Sequence, residues 1–135
     1  MAALRERTLH LYGVDEYLRD RIPDAAARAE AIKRQARAWG EQFDPNGMIV
    51  LAEAAQRHDV TAQLHRIKAW VQFVLSRTDK VFPPSTGPAA MQAFAEAGVR
   101  AEYFEIDSNY GHHAAGADSA KWAPVLARFL NEVAA

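Results

Sequence analysis

The stretches WVQFVLSRTDKVFPP (residues 70–84) and AEYFEIDSNYGHH (residues 101–113) decide the fold of this chain. The first opens with a mostly apolar run, residues 70–75, that does not alternate strictly between apolar and polar side chains. Such a run is typical of a β-strand covered on both faces. Residues 101–106 predict a second strand, and the segment Ser85–Ala97 between the two predicts a helix. The order strand–helix–strand indicates a βαβ unit.

Two residues with acid–base chemistry directly follow these strands. Asp79 comes after the first strand and His112 after the second. The strands of a βαβ unit run parallel, lie about 5 Å apart and bring their carboxyl ends to one edge of the sheet. Ligand sites of open α/β sheets gather at that edge. The side chains of Asp79 and His112 are therefore expected to meet, although they lie far apart in sequence.

Helices are predicted on both sides of the βαβ unit, which gives three helices followed by strand–helix–strand–helix and an α/β class. We divide the chain into a helical segment, residues 1–60, and a βαβα part, residues 61–135. The predicted helices are Val14–Ile22, Ala25–Trp39 with Gly40 as its stop, a segment from Asp44-Pro45 to about His58, and Ser119–Val133, capped by Asp118 or Ser119. The apolar run at residues 48–51 is expected to be buried on more than one side. The basic residues Arg28, Lys33, Arg34 and Arg37 predict a solvated helix face.

A sheet of two parallel strands leaves open edges and too few covering layers to be stable by itself. More strands are therefore expected, either from a missing N-terminal half or from another copy of the chain. This predicts a homo-oligomer or a complex with a second polypeptide.

The composition excludes several classes of protein. The chain has 135 residues, which suits one domain, and its formal net charge of -1 favours neither nucleic acid nor an anionic membrane. There is no cysteine, which excludes disulfides and thiolate sites and fits a cytoplasmic location. The first residues have no apolar core of signal-peptide length, and no run is long enough to cross a membrane.

Four motifs resemble the homoserine O-acetyltransferase family of the α/β-hydrolase superfamily. They are the turn D-x-x-F-P-P at Asp79–Pro84, EIDSNYGH at Glu105–His112, FDPN at Phe43–Asn46 and HDV at His58–Val60. In position and order they are similar to the C-terminal part of that family, over most of residues 12–133. The resemblance implies the C-terminal portion of an α/β-hydrolase fold, in which residues 1–60 are lid-like helices and residues 61–135 are the βαβα part of the core.

The resemblance also implies roles for the two residues at the strand ends. His112 would be the general base that activates a serine and then the acceptor hydroxyl, and Asp79 would orient and support it. The family transfers an acyl group from acetyl- or succinyl-CoA to a small hydroxyl compound. Acyl-CoA would thus be a co-substrate, with no other cofactor. In this family the lid helices often form a homodimer.

The chain departs from the family pattern at two points. No G-x-S-x-G nucleophile turn is present, and the serines Ser76, Ser85, Ser108 and Ser119 stand in other contexts. The chain is therefore expected to be a fragment, inert in triad chemistry without a serine-bearing N-terminal half. At position 113, where homoserine-specific members typically carry an aspartate that holds the substrate ammonium, this chain has His113. His113 is a candidate substrate contact, and an imidazole is a poor partner for an ammonium group.

Other interpretations remain open at this level. The same pair of residues would serve an esterase whose acceptor is water, and a truncated chain could also self-associate without catalysis. Asp79 could simply cap the turn before two prolines. His112, His113 and Asp107 could suggest a metal site, but adjacent histidines diverge and no spaced partner supports them, so no metal is predicted. A contact of the basic helix face with a CoA phosphate is a further alternative.

Overall fold

The computed structural model describes residues 1–134 and confirms the α/β class, because helices pack around a parallel sheet. The helices and strands are α1 (Ala2–Leu11), α2 (Val14–Arg19), α3 (Ala25–Gln42), α4 (Pro45–Arg57), β1 (Val71–Ser76), α5 (Gly87–Glu96), β2 (Ala101–Ile106), α6 (Ala114–Ala117) and α7 (Ala123–Ala134). Short 3-10 turns lie at Thr61–Arg66, Pro84–Thr86, Gly111–His113 and Ser119–Lys121. Within residues 1–134, no helix combines the length and the apolar character needed to cross a bilayer.

The sheet consists of β1 and β2, paired in parallel from Val71 opposite Ala101 to Ser76 opposite Ile106. Successive side chains of a strand point to opposite faces of the sheet. Tyr103 of β2 lies against Gly87 of α5, whereas its neighbour Glu102 pairs with Arg128 of α7. Helices α5 and α7 therefore cover opposite faces, and in residues 1–134 each strand has one edge without a β-partner.

The N-terminal helices form a small core of their own. Its fully or nearly buried members are Leu9, Val14, Ile32 and Ala36, contributed by α1, α2 and α3. Helix α1 was not predicted from the sequence. The predicted end of α3 before Gly40 was wrong, because α3 continues to Gln42. A Cβ atom at Gly40 would come within 3.0 Å of the backbone nitrogen of Ala2. The glycine thus allows α1 and α3 to approach closely and does not end the helix.

Arg28 links α2 to α3 and is buried, so its assignment to a solvated face was wrong. Its Nε donates to Oδ1 of Asp15 at 2.8 Å, and its Nη1 donates to the carbonyl oxygens of Ile22 and Pro23. Helix α2 ends at Arg19, three residues earlier than predicted. The carbonyls of Ile22 and Pro23 lie beyond the helix, where they have no intrahelical donor, and the guanidinium satisfies them.

Helix α4 lies on the surface, which contradicts the expected burial of its apolar run. Ile49, Val50 and Leu51 are 57%, 64% and 62% exposed, and no residue of α4 is buried. Its start does follow the prediction, because the Asp44 side chain accepts a hydrogen bond from the Asn46 amide. An apolar run predicts burial only where a second layer is available, and residues 1–134 supply none over α4.

Two helices of the βαβα part begin later than predicted. Helix α5 starts at Gly87 because Pro84–Thr86 forms a 3-10 turn, and α7 starts at Ala123 because Ser119–Lys121 forms another. The carboxylate of Asp118, a predicted helix cap, instead binds the hydroxyl of Ser108 and the ammonium of Lys121. The helix start is therefore displaced by contacts that hold the loop after β2.

Candidate active site

Asp79 lies just past the end of β1 in a tight turn, and its side chain is only 7% exposed. Its Oδ1 accepts hydrogen bonds from the backbone nitrogens of Val81 and Phe82 at 2.7 and 3.0 Å. Its own backbone nitrogen donates to the carbonyl oxygen of Ser76 at 3.0 Å. The carboxylate thus caps the turn before the prolines with one oxygen, and the other oxygen remains for a second partner.

That second partner is His112, in the 3-10 turn after β2. Its Nδ1 lies 2.9 Å from Oδ2 of Asp79. A carboxylate only accepts hydrogen bonds, so Nδ1 carries the proton and Nε2 of the neutral ring carries the lone pair. No side chain in residues 1–134 hydrogen-bonds to Nε2, and the imidazole is 34% exposed. An imidazole held this way can take a proton from a hydroxyl placed at Nε2.

The histidine turn is tied to the end of β1 by one hydroxyl. Oγ1 of Thr78 donates to the carbonyl oxygen of Ser108 at 2.9 Å and accepts from the backbone nitrogen of Gly111 at 3.0 Å. Ser108 is almost fully buried, and its hydroxyl donates to Asp118 at 2.6 Å while accepting from the Tyr110 amide. These bonds fix where the loop carries His112 relative to Asp79.

The Asp118 carboxylate makes the stability of this loop dependent on pH. Hydrogen bonds from Ser108 and then from Lys121 hold the pKa of Asp118 below its ordinary value of 3.8. A lowered folded-state pKa contributes stability above the ordinary value, and the contribution is lost as the pH falls through the folded pKa. We therefore expect acidification from about pH 5 to pH 3 to lower the free energy of unfolding more steeply in the native chain than in Asp118→Asn. Urea unfolding at several pH values measures this, and parallel curves for the two proteins would contradict it.

The N-terminal helices contribute an aromatic neighbour to the site that was not predicted from the sequence. The ring of Tyr12, in the loop between α1 and α2, lies 4.9 Å from the ring of His112, centroid to centroid. The ring of Phe82 lies 5.5 Å from the same imidazole. His112 therefore has two aromatic neighbours: Tyr12, which is far away in sequence, and Phe82, which belongs to the turn that holds Asp79.

Two glycines in the left-handed region allow this loop to approach the histidine turn. Gly13 has φ +83° and Gly111 has φ +55°. A Cβ at Gly13 would lie 2.5 Å from the carbonyl oxygen of Tyr110, and one at Gly111 would lie 3.1 Å from that of Tyr12. Both glycines follow a tyrosine, so the repeated Tyr-Gly dipeptide is the sequence feature that could have pointed to this contact.

His113 lies against the N-terminal helices. Its ring lies 4.6 Å from the ring of Tyr17 in an edge-on arrangement. Asp107, the third residue of the alternative metal site, pairs with Arg77 at 2.8 Å. His112, His113 and Asp107 thus have three different partners.

A cleft of about 160 Å³ opens beside the pair and is bounded by Phe82, Ile106 and Trp122 among others. Ser76 also lines the cleft, and its buried hydroxyl has no hydrogen-bond partner in residues 1–134. Of the other serines, Ser108 is bonded to Asp118, and none among the described residues hydrogen-bonds to His112. The cleft therefore contains an acid and a base without a nucleophile bonded to them.

Comparison with known proteins confirms the resemblance given by the motifs. No family model matches the chain. Individual homoserine O-acetyltransferases do match the chain. That of Pelobacter propionicus is 29% identical over 97 residues, covering 67% of this chain and 26% of the relative. That of Carboxydothermus hydrogenoformans is 30% identical over 101 residues, covering 70% and 27%. That of Methanosalsum zhilinae is 29% identical over 103 residues, covering 72% and 21%. The chain thus spans about a quarter of the length of the curated relatives that it matches.

Proposed function

We propose that this chain supplies the aspartate and histidine of a Ser–His–Asp triad for acyl transfer from acyl-CoA to a small hydroxyl acceptor. A second polypeptide, equivalent to the remaining three quarters of the relatives, would supply the serine and the oxyanion hole. In this proposal residues 1–60 are the lid-like helices and residues 61–135 the C-terminal βαβα part of an α/β-hydrolase fold. The observation that carries the proposal is the 2.9 Å hydrogen bond from Nδ1 of His112 to the buried carboxylate of Asp79.

The first half of the reaction makes an acyl-enzyme. The serine hydroxyl attacks the thioester carbon while Nε2 of His112 takes its proton, because a serine is a poor nucleophile until a base removes that proton. The tetrahedral intermediate collapses as His112 returns the proton to the departing CoA sulfur. Asp79 stays ionised and stabilises the imidazolium across the 2.9 Å hydrogen bond.

The second half repeats the chemistry with the acceptor. Nε2 of His112 takes the proton of the acceptor hydroxyl, whose oxygen attacks the acyl-serine ester. Collapse of this second intermediate releases the ester product, and the serine oxygen recovers its proton from His112. The His112 side chain is 34% exposed, and in residues 1–134 no hydrogen bond occupies its Nε2, as both halves of the reaction require.

The unfinished sheet supports the need for a second polypeptide. Each strand has an edge without a partner in residues 1–134, and the apolar side of α4 faces water. A polypeptide that continued the sheet would pair with a free strand edge and bring further residues to the cleft. Self-association of this chain would cover the same surfaces without supplying a serine in the required turn.

Hydrolysis is the second candidate, and His113 favours it. The imidazole of His113 stands where homoserine-specific enzymes of the resembled family carry an aspartate, and it lies against Tyr17. A neutral or cationic ring does not attract an ammonium group, so an acceptor without one, or water, fits this position better. His113 remains the predicted substrate contact in both versions.

Complementation tests the proposal directly. The full chain is mixed with the Pelobacter propionicus relative from which the segment matching this chain has been deleted, and release of CoA thiol from acetyl-CoA is followed. We expect turnover from the mixture and none from either polypeptide alone, because each lacks part of the triad. The matched control replaces the nucleophilic serine of the relative by alanine.

The same assay separates the two candidates. Thiol release that requires a hydroxyl acceptor supports acyl transfer, and release at the same rate in water alone supports hydrolysis. A stable complex of the two polypeptides with no thiol release would contradict both.

A further inference from the structure

We infer that Tyr12 is a positioning residue that holds the imidazole of His112 in register with Asp79. The importance of this for catalysis rests on the proposed function, because only there does His112 act as a base. The positioning itself concerns the chain alone and needs no serine.

The first observation is the contact between the rings. The ring centroids of Tyr12 and His112 lie 4.9 Å apart with an interplanar angle of 43°. Those of Phe82 and His112 lie 5.5 Å apart with an interplanar angle of 49°. The χ2 torsion of histidine has a broad energy well. A hydrogen bond at one nitrogen therefore leaves the ring free to swing unless neighbouring side chains pack against it. Tyr12 and Phe82 lie near enough to restrict that swing, and the His112 side chain nevertheless keeps 34% of its surface exposed.

The second observation is a backbone contact at the same place. The carbonyl oxygen of Tyr12 accepts a hydrogen bond of 3.1 Å from the backbone nitrogen of His113, the residue after the base. The close approach of Gly13 and Gly111 makes this bond possible. Tyr12 thus fixes the main chain beside His112 with its carbonyl group and the imidazole with its ring.

The third observation is that Tyr12 is itself held by the N-terminal helices. Its backbone nitrogen donates to the carbonyl oxygen of Thr8 at 2.9 Å. The guanidinium of Arg5 lies 5.7 Å from the Tyr12 ring and 5.1 Å from the Trp39 ring. Nε of Arg5 is buried and has no hydrogen-bond partner in residues 1–134, whereas its guanidinium carbon lies within cation–π distance of both rings. Tyr12 therefore connects the histidine to a packed unit of α1 and α3.

The consequence is a choice of tautomer. With the ring held against Asp79, the neutral imidazole carries its proton on Nδ1 and its lone pair on Nε2. A ring that can swing away from Oδ2 of Asp79 places its proton on Nε2 for part of the time. In that tautomer Nε2 cannot accept a proton from a serine, so positioning controls the fraction of chains with a usable base.

The test is 15N NMR of the full chain labelled at histidine, without any serine-bearing polypeptide. We expect the native chain to show His112 as the Nδ1-protonated tautomer and a nuclear Overhauser effect between the Tyr12 and His112 rings. Tyr12→Leu is expected to lose the Nδ1-protonated signal, and Tyr12→Phe, which keeps the ring, is expected to retain it. Tyr17→Leu, which removes a ring near His113 only, is the matched control and should leave the His112 tautomer unchanged.

Three results would overturn the inference: no Overhauser effect between the two rings in the native chain, retention of the Nδ1-protonated tautomer in Tyr12→Leu, or its loss in Tyr12→Phe. If Tyr12→Leu fails to fold, the native chain and Tyr12→Phe still decide. Because all spectra are recorded on this chain alone, a failure of complementation leaves the result untouched.

Discussion

Replacing His112 by alanine is expected to lower kcat of the complemented acyl-transfer reaction on the order of 10⁶-fold. The methyl group cannot take the proton of the serine or return it to the leaving sulfur, so both halves of the reaction lose their base. The imidazole is partly exposed and its removal leaves Asp79 bonded to the turn of Val81 and Phe82, so the fold should survive. Thiol release under saturating acetyl-CoA measures the effect.

His65→Ala is the matched control, because His65 is exposed in the 3-10 turn before β1 and its side chain has no hydrogen bond in residues 1–134. Its kcat should equal that of the native chain. Equal turnover by His112→Ala would remove His112 from the mechanism, whatever the geometry around it.

Asp79→Asn is expected to lower kcat by about 10⁴-fold while leaving the site geometry nearly unchanged. The asparagine oxygen can still accept from the amides of Val81 and Phe82. Its NH₂ group, however, now donates to Nδ1 of His112, which forces the proton of the neutral ring onto Nε2. The imidazole of His112 then lies in the correct place, but its Nε2 already carries a proton and cannot accept one from the serine.

The control for this change is Asp107→Asn, the acidic residue directly after β2. Asp107 is exposed and pairs with Arg77, so its replacement changes the charge of the chain equally without touching His112. We expect activity close to that of the native chain. A similar loss in both variants would indicate an effect of net charge and would contradict the specific role of Asp79.

The βαβ unit was predictable because its sequence is locally consistent. The first strand lies in a mostly apolar run, the second combines aromatic and aliphatic residues with two glutamates, and β2 has the bounds that the sequence predicted, Ala101–Ile106. The approach of Asp79 and His112 follows from the rule that parallel strands end at one edge. These features depend on neighbours in sequence and on topology, which a single sequence carries.

The contacts of the N-terminal helices were not predictable in the same way. Gly40 looks like a helix stop, and only the approach of Ala2 reveals that it accommodates a second helix. The run at Ile49 looks buried, and its exposure reflects the layers present in residues 1–134. Tyr12 carries no charge or motif, and its place beside His112 depends on packing between segments separated by about a hundred residues.

The close approach of Gly13 to Gly111 determines how far the chain can be shortened from its N-terminal side while His112 keeps its position. A piece that began after Gly13 would keep both strands, Asp79 and His112. It would nevertheless expose the backbone of the histidine turn to water and remove one of the two acceptors of the His113 amide, the carbonyl oxygen of Tyr12, leaving that of Tyr110. Cutting the chain at the boundary between its helical and βαβα parts would therefore separate residues that depend on each other. The N-terminal helices have to stay with the part of the chain that carries the histidine.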